Sequence, residues 1–103
     1  MNCSRNDVVL LPIPFTDLTS HKVRPAIIIG RSGADLFLVP ISSVLANTDF
    51  PLKGWRAAGL NVPCGVKAQL ATVGERLVVK IVGQLAVADV QLLNERLRTW
   101  LKL

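Results

Sequence analysis

Arg24 stands directly before Pro25, where a polar segment, Thr16-Asp17-Leu18-Thr19-Ser20-His21-Lys22, gives way to the apolar run Ala26-Ile27-Ile28-Ile29. Proline fixes its own φ and presses the preceding residue toward extended geometry, so Arg24 has less backbone freedom than an arginine elsewhere on a surface. A restrained guanidinium offers a permanent charge and aligned donors, the chemistry that grips a phosphate. The alternative is a surface arginine that merely precedes a strand. Three residues earlier is His21, the single histidine of the chain. With an ordinary pKa of roughly 6.5, histidine suits general acid or base catalysis at neutral pH, although a solvated loop histidine is the competing reading. Ser42 and Ser43 close a second apolar run, Leu36-Phe37-Leu38-Val39-Pro40-Ile41. A serine there can donate to a reacting group or bond nearby backbone in a turn. Nothing completes a Ser/His/Asp set by spacing.

The formal charge of +5 favours polyanionic partners, and its distribution sharpens the point. Between Pro51 and Lys80 lie Lys53, Arg56, Lys67, Arg76 and Lys80 against one acid, Glu75. Lys53, Trp55 and Arg56 combine charge with a stacking surface, as single-stranded RNA binders do, while Trp55 could equally pack on a sheet. Lys67 and Gln69 alternate and are expected on one side of a strand, facing either RNA or solvent. Thr16 and Asp17 either turn the first loop or contact RNA. Cys3 and Cys64 form no CxxC and join no histidine pair, so no metal site, redox motif or cofactor is expected.

These residues need elements to hold them. At 103 residues the chain reads as one domain, residues 1–103. It is 50% apolar, yet no run reaches the roughly 20 residues of a membrane span, and no secretory signal is visible; a cytoplasmic protein that avoids membranes is expected. Strands are expected over 8–13, 26–30 and 36–41, the last two as a hairpin around Ser32-Gly33-Ala34-Asp35. The unbroken run 26–30 implies burial on both faces. That hairpin brings Arg24 near the Ser42-Ser43 pair. Residues 43–65 are irregular, with Pro51, Gly54, Gly59 and Pro63, apart from a short edge strand over 49–52. Further strands are expected over 65–71 and 77–82, separated by Val73-Gly74-Glu75-Arg76. The period then changes: Val90, Leu93, Leu97, Trp100 and Leu101 share one helical face, which predicts a helix over 87–101. Asp89 and Lys102 suit its dipole, while Ala86 is a poor cap. The expected fold is mainly β (α+β), a curled antiparallel sheet or small β-barrel with the C-terminal helix packed on it.

Taken together, Asp7-Val8-Val9-Leu10, Pro14-Phe15-Thr16-Asp17-Leu18, Lys22-Val23-Arg24-Pro25-Ala26 and Pro40-Ile41-Ser42-Ser43 resemble the N-terminal half of the MazF/PemK toxin family. Lys67-Ala68-Gln69-Leu70-Ala71-Thr72-Val73 and Ile81-Val82-Gly83-Gln84-Leu85 are similar to its PemK-like branch. The resemblance implies an SH3-like barrel, a homodimer, and a metal-independent, sequence-specific endoribonuclease (mRNA interferase) that cuts single-stranded RNA and is silenced by a cognate antitoxin. The family's catalytic pair maps to Arg24 and Ser42, with serine where threonine is usual. An acid that some members carry near Lys67-Ala68-Gln69 is absent. RNA is then expected along a basic groove between loop 16–22, with Thr16 and Lys22, and loop 47–62, with Lys53 and Arg56; Lys67 and Gln69 extend it. An antitoxin with an acidic, disordered tail would complement such a groove. The alternative is a non-catalytic module on the same fold that binds nucleic acid or protein, including a toxin that inhibits a topoisomerase.

Overall fold

Three strands, β1 (Asp7–Pro12), β2 (Val23–Ser32) and β3 (Asp35–Ser42), form the centre of the computed structural model, which describes residues 2–12 and 22–103. Alternate side chains on a strand point to opposite faces. Val8, Ile27, Val39 and Ile41 enter one core cluster, whereas Val9, Leu11, Ala26, Ile28, Leu36 and Leu38 enter another. Burial on both faces explains the unbroken apolar runs, and each buried valine, leucine or isoleucine side chain contributes roughly 2 kcal/mol. The expected β2–β3 hairpin is present, with Ala26 opposite Pro40 and Ser32 opposite Asp35.

β4 (Phe50–Pro51), β5 (Gly65–Val66), β6 (Ala71–Gly74) and β7 (Lys80–Gln84) complete the sheet. Its order is β4-β5-β3-β2-β1-β7, and β6 also pairs with β3. Among the described residues no ladder joins β4 to β7. The arrangement is therefore an open antiparallel sheet with a packed helix rather than a closed barrel.

The continuous strand expected over 65–71 is broken, and Pro40 is the cause. Lys67 donates its N–H to the Pro40 carbonyl at 3.0 Å, but proline has no N–H to return. The Lys67 carbonyl accepts instead from the N–H of Gln69 at 2.8 Å, and the chain turns away before rejoining β3 at Leu38. Lys67 and Gln69 thus lie in a turn and do not alternate on a strand. Val73 and Gly74, expected between strands, end β6, and a 3-10 turn over Glu75–Leu77 precedes β7.

The helix α1 occupies Val87–Leu101, the span expected from its period, with Leu93 and Leu97 in the first cluster and Trp100 packed against it. Ala86 makes no side-chain cap, and Lys102 ends the helix in a left-handed conformation at φ 56°. Asp89 is 1% exposed and accepts from the N–H groups of Lys53 at 3.0 Å and Gly54 at 2.8 Å. It therefore staples the long loop to the helix. No described helix is long and apolar enough to cross a membrane.

At the far end of the β2–β3 hairpin, Arg31 meets Glu75 at 2.8 Å and also donates to the carbonyls of Cys3 and Gly33. Glu75 accepts in turn from the Cys3 N–H at 2.9 Å. These bonds, that of Arg31 foremost, hold the Glu75 carboxyl down to about 2 from an ordinary value of 4.5. A carboxyl with a lower pKa folded than unfolded stabilises fully above the unfolded value and loses its contribution as pH falls through the folded one. Glu75→Gln is accordingly expected to melt below wild type at neutral pH. Thermal melts should show the gap narrowing from about pH 4.5 and closing near pH 2.

Candidate functional site

A cleft of about 510 Å³ opens where β1, β2, β3 and β7 meet residues 59–64. Arg24 and Ser42 both line it. The register explains why: Ala26 faces Pro40 at the end of the β2–β3 ladder, and Arg24 and Ser42 each lie two residues beyond that pair. On its other side Arg24 is paired with Leu11 of β1, so the guanidinium sits on a strand held from both edges. Its side chain is exposed. The Ser42 hydroxyl oxygen accepts from the Val44 N–H at 3.0 Å, which leaves its own proton available to a ligand. The bond to nearby backbone is thus present, and it does not use the hydroxyl proton.

The opposite wall is Gly59, Leu60, Asn61 and Val62. It is set by a close approach between backbones. Gly59 has φ +90°, and a Cβ there would come within 2.2 Å of the Val82 carbonyl oxygen. Val82 is itself an extra residue in β7: Val8 pairs with Gly83 but Val9 with Ile81. The bulge thus turns that carbonyl toward the loop, and glycine is the residue that lets the wall sit there. Cys64 is buried at the base of the wall, donates its thiol to the Val62 carbonyl at 3.2 Å, and has its pKa pushed up by burial. It is a neutral packing thiol at pH 7, unsuited to nucleophilic attack.

The other residues singled out in the sequence fall in three places. Thr16 and His21 lie outside the described residues. Lys22 is exposed immediately before β2. Lys53 and Arg56 are exposed on the loop stapled by Asp89 and do not line the cleft; the Arg56 guanidinium lies 5.0 Å from the centroid of the Trp55 ring. Trp55 itself is partly buried against the first core cluster, so its packing role prevails over an open stacking face. Lys67 and Gln69 line a separate depression with Thr48 and Asp49. Two cleft residues, Lys80 and Asn61, escaped the sequence reading. Lys80 was visible there only as a contribution to net charge, because its place depends on β7 joining β1 across the length of the chain.

No protein-family model matches the sequence, and no curated protein matches it. Among solved structures, the chain is similar to an endoribonuclease in complex with its cognate antitoxin from Mycobacterial species. The TM-score is 0.72 at 23% sequence identity, with 100% of this chain and 97% of that one covered. The similarity shows that the two chains share a fold over essentially their whole length.

Proposed function

We propose that this chain is the toxin of a toxin–antitoxin pair, a cytoplasmic endoribonuclease of the MazF/PemK kind that cleaves single-stranded RNA. The observation that carries the reading is that Arg24 and Ser42, from neighbouring strands, line one cleft that has no carboxylate among the described residues of its lining. Such a cleft suits a phosphodiester. The full-length fold similarity to a bacterial endoribonuclease that binds an antitoxin adds support for both the activity and the partner.

In this reading the ribose 2′-hydroxyl attacks its own phosphate, the 5′-oxygen leaves, and negative charge grows on the two non-bridging oxygens. Arg24 donates to those oxygens with a fork that matches their geometry, and Ser42 adds a hydroxyl donor. Neither side chain is a base at neutral pH, so we assign proton transfer to His21, whose ordinary titration fits it. Thr16, Lys22, Lys53, Arg56, Lys67 and Gln69 would guide the flanking RNA by charge and hydrogen bonding. The chain would act as a homodimer, for which an apolar groove of about 390 Å³ between Ile29, Phe37, Leu70 and Leu101 offers a contact surface.

Purified protein is expected to cut single-stranded RNA at a preferred sequence, unaffected by EDTA. Among the described residues the charged side chains of the cleft are one arginine and one lysine, with no carboxylate or histidine beside them, which favours one alternative: a module that binds nucleic acid and leaves it intact. Retention of a broad set of single-stranded RNAs without strand breaks would select that alternative.

A further inference from the structure

The cleft holds a second cation. Lys80 is exposed and lines it together with Arg24, and among the described residues these are its only charged side chains. Lys80 pairs with Leu10, and Leu10 pairs with Pro25, so Lys80 is two strands away from the residue that follows Arg24. At the usual strand spacing the two backbones are about 10 Å apart. The lining between and around them is largely apolar, with Leu10, Ile41, Leu60 and Val82. Among the described residues neither cation has a carboxylate partner, since the two salt bridges join Arg31 to Glu75 and Arg96 to Asp49. Two like charges across one cleft repel, and the repulsion is relieved when anionic groups reach both. A single phosphate at Arg24 would leave Lys80 unmatched.

We propose that Lys80 holds the phosphate next to the one bound at Arg24, so that the cleft recognises two successive phosphates of one RNA strand. The proposal rests on the ribonuclease reading of the cleft and adds a division of labour to it. The planar fork of Arg24 suits the reacting phosphate, where direction matters. The flexible stem and point charge of Lys80 suit a neighbour that must be held and not oriented. Lys80 is thus a binding residue that sets the minimum length of substrate, and its contact is the same in the ground state and the transition state.

Equilibrium binding of a single-stranded oligoribonucleotide to Arg24→Ala protein, titrated with salt, provides the first measurement. Adding Lys80→Gln should make the slope of log K against log salt shallower by roughly 0.7, the value of one phosphate contact on a single strand, and Lys80→Arg should restore it. In otherwise wild-type protein, Lys80→Gln should raise KM about threefold to fivefold with kcat within about twofold of wild type. Identical salt slopes and KM values with and without Lys80 would overturn the proposal. So would a loss of kcat comparable to that of Arg24→Ala, which would put Lys80 on the reacting phosphate. If wild-type protein binds and cuts RNA but is indifferent to Lys80, this inference alone fails. If it neither binds nor cuts RNA, the reading of the cleft fails and takes the inference with it.

Discussion

Arg24→Ala is expected to lower kcat for cleavage of single-stranded RNA by about a thousandfold while leaving the melting temperature essentially unchanged. The magnitude follows from the task assigned to the side chain: removing one preorganised donor from a developing oxyanion costs a factor of about a hundred to a thousand, and arginines on phosphoryl groups reach higher. The indifference of the fold follows from position. Arg24 is exposed, and among the described residues no hydrogen bond or ion pair from its side chain ties it to the protein. Exposed substitutions of that kind change stability by less than about 0.5 kcal/mol. Arg24→Lys should fall between the two, because it keeps the charge and loses the fork. Cleavage retained by well-folded Arg24→Ala protein would remove the residue from the mechanism.

Asp89→Ala is expected to have the largest effect on stability, about 3 kcal/mol. Two backbone N–H groups, on Lys53 and Gly54, donate to this carboxylate at 3.0 and 2.8 Å, in a position 1% exposed. A hydrogen bond to a charged group contributes roughly 1.5 to 3 kcal/mol, and removing the acceptor also leaves partly buried donors without a partner. Gly54 is part of the same arrangement: a Cβ there would come within 2.5 Å of the Ala86 side chain, so only glycine brings this backbone close enough to donate. For a domain of this size the expected fall in Tm is more than about 10 °C. Asp89→Asn, which keeps one carbonyl acceptor and the shape, should cost less. Chemical or thermal denaturation of both variants checks the ranking. Because the stapled loop continues into Gly59 and Leu60, Asp89→Ala should also loosen the wall of the cleft and weaken RNA binding.

The two residues differ in how far the sequence reveals them. Arg24 and Ser42 could be brought together on paper, since a hairpin needs only a turn signal and two apolar runs of similar length. The helix was equally visible, because fifteen residues carry enough periods of 3.6 to separate it from a strand. Asp89 was readable as an acid in the first turn of that helix, but its real partners lie 35 and 36 residues earlier. Lys80 had the same handicap on a larger scale, since β7 finds β1 only in the folded chain. The split between β5 and β6 is a different case. Its cause, a proline at position 40, is plain in the sequence, yet its effect falls on the partner strand, whose own residues over 65–71 alternate well enough to pass for one strand. The open edge between β4 and β7 likewise depends on pairings that local pattern does not encode.

If the Arg24–Ser42 cleft directs a ribose 2′-hydroxyl at the adjacent phosphate, as proposed, the chemistry of the cut ends records it, and mass spectrometry of a single-stranded RNA cut by the wild-type protein in EDTA reads those ends. A 2′,3′-cyclic phosphate is expected on the upstream fragment and a free 5′-hydroxyl on the downstream one, with both absent when Arg24→Ala replaces wild type. A 5′-phosphate, dependence on added metal, or intact RNA under all conditions would rule this chemistry out.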